Sequence, residues 1–79
     1  MKRQQWEIMY KNGLWHGQRR RHKVFSTTTK KSDAIWYVVT HLRMLLVRDG
    51  IRSELTIHKM DGGIQDKRTY GDDPRRSRG

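Results

Sequence analysis

"KKSDAIWYVVTHLRMLLVRDG", residues 30–50, is the stretch on which the fold turns. At about 100° per residue, Ile35, Val38, Val39, Leu42, Leu45 and Leu46 fall on one stripe, the pattern of a helix with a single buried face. Asp33 stands in the first turn, where a negative charge suits the helix dipole, and Ser26, Thr27, Thr28 and Thr29 offer N-caps just upstream. Gly50 can take the left-handed conformation that closes a helix. The pattern therefore predicts a helix from about Lys30 to Arg48 or Asp49, and its apolar stripe needs a sheet to cover it.

The flanks supply strands. Upstream, Trp6, Ile8 and Tyr10 alternate with Glu7, Met9 and Lys11, and Asn12-Gly13 follows as a hairpin turn. The return from Leu14 to Ser26 is long and broken at Gly17, and its best-defined part is a second strand over His22–Phe25. Downstream, Ser53 to Met60 alternates again, Asp61-Gly62-Gly63 makes a tight turn, and Ile64 to Tyr70 reads as the partner strand. The expected order is β-β-α-β-β: an α+β domain with one helix packed on a small, mainly antiparallel sheet. Residues 1–73 form the single domain of this reading, and residues 74–79, basic and beginning with the only proline, form a disordered tail.

A lone sheet covers one side of a helix. Trp36, Tyr37, Met44 and Val47 lie largely outside the stripe and are expected on the surface, where side chains of this size often mark an interface. A second copy of the chain is one occupant; folding over the sheet edge is the other.

The chain has 79 residues, 33 % of them apolar, so its core must be thin. There is no cysteine, which excludes a disulfide framework and a cysteine-based zinc site and fits a reducing cytoplasm. No apolar run approaches membrane-spanning length, and "MKRQQWEIM" lacks the apolar stretch of a signal peptide. His16, His22, His41 and His58 fall on different elements without metal-ligand spacing, and no nucleophile sits in a recognisable motif. The reading is a cytoplasmic protein with no metal, no cofactor and no catalytic activity.

The net charge is +10, and residues 1–31 alone carry +8. Concentrated charge makes the compact state repel itself, and a polyanionic partner relieves that repulsion. "GQRRRHKVFS", residues 17–26, is the densest part. It is read as a unit in which Gly17 lets the chain bend, Arg19, Arg20, Arg21 and Lys23 form a mobile basic arm, and Val24-Phe25 anchors that arm to the core. With Lys11, Lys30 and Lys31 as further cations, and Trp15 and His16 available to stack on a base, the segment reads as a nucleic-acid-binding surface, for DNA before RNA. The alternative is a protein-interaction module that docks on an acidic host protein, steered by the same charges and gripped by the free helix face.

"SELTIHKMDGGIQDKRTYGDDP", residues 53–74, resembles a small bacterial and phage domain family of unknown function whose members end in an "ELxIH" strand, a "DGxI" turn and "YGxDP". The matching positions are Glu54, Leu55, Ile57, His58, Asp61, Gly62, Ile64, Lys67, Tyr70, Gly71, Asp73 and Pro74. Upstream, Trp6, Gly13, Phe25, Thr28, Ala34 and Ile35 are similar to the family's Trp strand, Gly turn and Phe-x-Thr entry into a helix. The resemblance implies the β-β-α-β-β order and gives no activity, because the family is itself uncharacterised. This chain departs from it in the aromatic helix face and in the weight of the Arg19–Arg21 cluster.

Overall fold

The computed structural model describes residues 3–71, and the tail expected at 74–79 lies outside them. Five strands and one helix follow in the order β1 (Gln4–Lys11), β2 (Leu14–Arg19), β3 (Val24–Thr28), α1 (Lys31–Asp49), β4 (Ser53–His58) and β5 (Ile64–Tyr70). The helix packs on one face of a five-stranded sheet ordered β3-β2-β1-β4-β5. The hairpins β1-β2, β2-β3 and β4-β5 are antiparallel, and the chain returns through α1 to lay β4 parallel to β1 at the centre. The α+β class with one helix on the sheet is as the sequence implies. The order differs: it is β-β-β-α-β-β, because the long return from Leu14 folds into two strands instead of one.

The reason lies at Gly17 and in the charges beyond it. β2 continues the hairpin straight from Asn12-Gly13, whose φ angles of 54° and 82° give the left-handed pair that a two-residue hairpin turn requires. Gly17 is not a bend. It is a buried position of β2 directly beneath α1, where an added Cβ would meet Val38 Cγ2 at 2.5 Å and Ser26 Oγ at 2.9 Å. A glycine there lets helix and sheet approach closely. The chain turns later, at Arg19–His22, where the His22 amide donates to the Arg19 carbonyl at 2.9 Å. The expected strand over His22–Phe25 therefore starts two residues late, at Val24.

The core is built from alternate strand positions and one helical stripe. Trp6 and Ile8 of β1, Trp15 of β2, and Leu55 and Ile57 of β4 meet Ala34, Val38 and Leu42 of α1, and all eight are buried. Ala34, Val38 and Leu42 recur every four residues and form the centre line of the buried face. Ile35, Val39 and Leu45, expected in the stripe, flank that line and are half-buried, whereas Ala34, outside the expected stripe, is fully buried. Each large apolar side chain buried in this way contributes about 1.5–3 kcal/mol.

The helix starts without a side-chain cap. Lys30 occupies the N-cap position, and the Thr28 hydroxyl turns back to donate to the Lys30 carbonyl at 2.7 Å. At the other end Gly50, at φ 67° and ψ 19°, donates its amide to the Leu46 carbonyl at 3.0 Å and the Ile51 amide donates to the Leu45 carbonyl at 3.2 Å, as expected for a left-handed C-cap.

Candidate functional site

The basic residues of the first half of the chain separate in space. The register Trp6↔Arg19 puts Arg19, Arg20, Arg21, His22 and Lys23 at the end of the sheet where β1 begins, beside Arg3 and Arg52. The register Lys11↔Leu14 puts Lys11 at the opposite end, where the Thr28–Lys30 corner also lies because Trp15 pairs with Thr28. The two groups stand apart by the length of β2, about 17 Å at roughly 3.4 Å per residue. The edge strand β3 joins them, with Lys23 before its first residue and Lys30 after its end.

Some cations are engaged within the fold. Arg3 pairs with Glu54, and Arg20 lies 3.7 Å from Glu7 on the sheet face away from the helix. His58 stands between the Gly62 carbonyl (Nδ1, 3.2 Å) and the Glu7 carboxylate (Nε2, 3.2 Å). Lys31 bonds to the Gln65 side chain and sits over the Trp15 ring, 5.0 Å from its centroid. Arg68 pairs with Asp66 at 3.1 Å, and side-chain hydrogen bonds to Tyr70 and then Asp66 push its pKa above the ordinary guanidinium value. Among the described residues, no carboxylate lies within ion-pair distance of Arg19, Arg21, Lys23, Lys11 or Lys30.

Three expectations change here. Trp15 is 6 % exposed and belongs to the core, so its ring cannot stack on a base. Of the residues expected to form a mobile arm, Arg19 ends β2, which is hydrogen-bonded to β1 on one side and β3 on the other, the Arg20 amide still donates to the Gln5 carbonyl of β1 at 2.7 Å, and only Arg21–Lys23 lie beyond the ladder. Val24 and Phe25 do not bury themselves as an anchor; they are 48 % and 43 % exposed. Anchoring comes instead from the β2 ladder and from Trp15. His16 is half-buried, on the sheet face away from the helix, and its Nε2 donates to the Lys11 carbonyl at 3.1 Å.

Phe25 has company that the sequence does not reveal. Its ring meets Trp6 of β1 edge-on (5.4 Å, 89°) and lies tilted against His41 of α1 (4.6 Å, 31°), while Trp6 and His41 are 5.3 Å apart. The three rings form one wall of an open groove of about 550 Å³, whose rim includes Arg19 and Lys23. Sequence reading misses His41 because it sits mid-helix, and only the packing of α1 across β1 and β3 brings it to Phe25.

On the far side of α1, Trp36, Tyr37, Met44 and Val47 are exposed, and the Trp36 and Tyr37 rings touch edge-on at 5.2 Å. Among the described residues no group of three His, Cys, Asp or Glu side chains is placed to hold a metal ion, and no helix is long and apolar enough to cross a membrane.

No curated protein and no solved structure matches the chain. A family model does, described as "Uncharacterized protein conserved in bacteria (DUF2188)", and its match covers residues 6–70, from β1 through β5. The chain therefore belongs to the DUF2188 family of bacterial proteins, the kind of small domain family that its C-terminal strands suggest.

Proposed function

We propose that this protein is a nucleic-acid-binding module of the bacterial or phage cytoplasm, with a regulatory and not a catalytic role, and that the polyanion lies along the β3 edge. The observation that carries this reading is the charge at the two ends of that edge: Arg19, Arg21 and Lys23 at one and Lys30 at the other, with Lys11 at that same end of the sheet on β1, none neutralised by a carboxylate among the described residues. Unpaired cations about 17 Å apart on one edge suit a ligand with regularly repeated negative charge. DNA is preferred to RNA in this reading because the β2-β3 ribbon is slim enough for a major groove.

Binding of duplex DNA, single-stranded DNA and RNA at two salt concentrations tests it. Each phosphate contact contributes about 0.9 to the slope of log K against log salt on duplex DNA. Changing Arg19, Arg20, Arg21 and Lys23 together to Ala should flatten that slope and weaken binding by orders of magnitude, with the far-ultraviolet circular dichroism unchanged. Undiminished affinity at matched salt removes the turn from the binding site.

A second reading rests on the exposed helix face. Trp36, Tyr37, Met44 and Val47 favour a protein contact there, either a second copy of the chain or an acidic host protein steered by the same cations. Heparin or random duplex displaces a nucleic-acid ligand, whereas a defined acidic protein resists that competition at moderate salt.

A further inference from the structure

We infer that the groove between β3, the start of β1 and α1 is a site for one unpaired nucleobase, held against the Phe25–His41 pair with its flanking phosphates on Arg19 and Lys23. This rests on the nucleic-acid reading and narrows it to strands with an unpaired or everted base.

Phe25 is the only phenylalanine of the chain, it lies among aromatic rings, and it still leaves 43 % of its surface to solvent. Trp6 meets its ring at right angles and His41 lies tilted against it at 31°, so the cluster is assembled from three elements and still leaves Phe25 open to solvent. An exposed aromatic wall held rigidly by a strand and a helix is a stacking platform, because every nucleobase has an apolar π face. The groove, at about 550 Å³, falls within the range that encloses small organic ligands.

The polar groups around this wall suit a nucleotide. Arg19 and Lys23 line the groove, and no carboxylate does, so an acidic ligand meets no repulsion there. The Trp6 indole N–H donates to Gln4 Oε1 at 3.0 Å, which orients the Gln4 amide and leaves its NH₂ donors for an acceptor on a base edge. A base in an intact duplex has both faces covered by its neighbours and cannot use such a wall; an unpaired base can.

The test compares three probes at one salt concentration: an oligothymidylate, a mixed-sequence duplex of equal length and poly-glutamate. Phe25→Leu should weaken oligothymidylate binding by about ten-fold, the loss of roughly 1.4 kcal/mol of stacking, while duplex binding changes less than about two-fold. Phe25→Tyr, which keeps the ring, should retain wild-type affinity. His41→Gln should act like Phe25→Leu, because it removes the other ring of the pair. Equal effects of Phe25→Leu on single strand and duplex, or none on either, overturn the groove inference and leave the nucleic-acid reading standing. Failure of the wild-type protein to bind either nucleic acid overturns both, and tight binding of poly-glutamate alone assigns the charges to an acidic protein.

Discussion

Arg21 holds a backbone conformation that an arginine adopts at a cost. Its φ is 68°, at the third position of the Arg19–His22 turn, where glycine or asparagine is the usual occupant. The left-handed region costs an L-residue with a Cβ roughly 1–2 kcal/mol. A sequence selected for stability alone would put glycine here, so the arginine has to be explained by what its charge does. Arg21→Gly relieves the strain but adds glycine's flexibility to the unfolded chain, and the net gain should be about 0.5–1 kcal/mol in urea unfolding. The same variant should weaken nucleic-acid binding and lower the salt slope by about 0.9. A variant that is both more stable and equally tight would show that Arg21 is a tolerated defect of the turn. Gly17 presents the opposite case: with Val38 Cγ2 at 2.5 Å from where its Cβ would be, its identity serves packing alone.

At the scale of elements, α1 has two apolar sides with different fates. Ala34, Val38 and Leu42 are fully buried against β1, β2 and β4, whereas Trp36 is 62 % and Val47 83 % exposed. A helix over a single sheet has no second layer to cover its back. Trp36→Glu should therefore shift stability by no more than about 0.5 kcal/mol, since it removes only a ring contact with Tyr37. If the exposed face holds two copies together, the variant sediments as a monomer while the wild type sediments as a dimer. Identical sedimentation of the two at high concentration removes self-association through this face. β2 is the element whose reading changes most: flanked by ladders on both sides, it carries its cations at its end instead of along its length.

The whole molecule is small and strongly positive, and its carboxylates neutralise only a few of its cations. Glu7 stands beside Arg20 and His58 on the outer sheet face, and Glu54 takes Arg3. Arg19, Arg21, Lys23, Lys11 and Lys30 have no carboxylate within ion-pair distance among the described residues. A net charge of +10 on 79 residues destabilises the compact state by self-repulsion, and salt screens it, with a Debye length of about 30 Å at 0.01 M and about 10 Å at 0.1 M. Moving from about 0.01 M to about 0.1 M sodium chloride should raise the Tm by several degrees, given that roughly 1 kcal/mol corresponds to about 4–8 °C for a domain of this size. A Tm that stays flat or falls would mean that the existing ion pairs already offset the excess. Added heparin should raise the Tm further at constant salt, because a ligand that binds only the folded state stabilises it.

Local physics is legible in this sequence, and it determined most of the fold. The apolar stripe and Gly50 announce α1 to within a residue of its bounds, Asn12-Gly13 announces the first hairpin, and the alternation of Ser53–His58 and Ile64–Tyr70 announces the second. Each of these signals is carried by neighbours in the chain, through periodicity or through a φ angle that few residues adopt. The site was legible only as charge. Its five consecutive bases, Arg19 to Lys23, stand out in composition, but their repulsion suggests a loose arm. What opposes that repulsion, the β2 ladder and the burial of Trp15, joins residues far apart in the chain. Tertiary structure alone decided three things. It made β4 parallel to β1, it split the cations between the two ends of the sheet, and it brought His41 to Phe25. The physical reason is common to all three: each rests on contacts between residues far apart in the chain, the β1–β4 ladder, the β2 and β3 registers and the packing of α1, and no local pattern encodes those pairings.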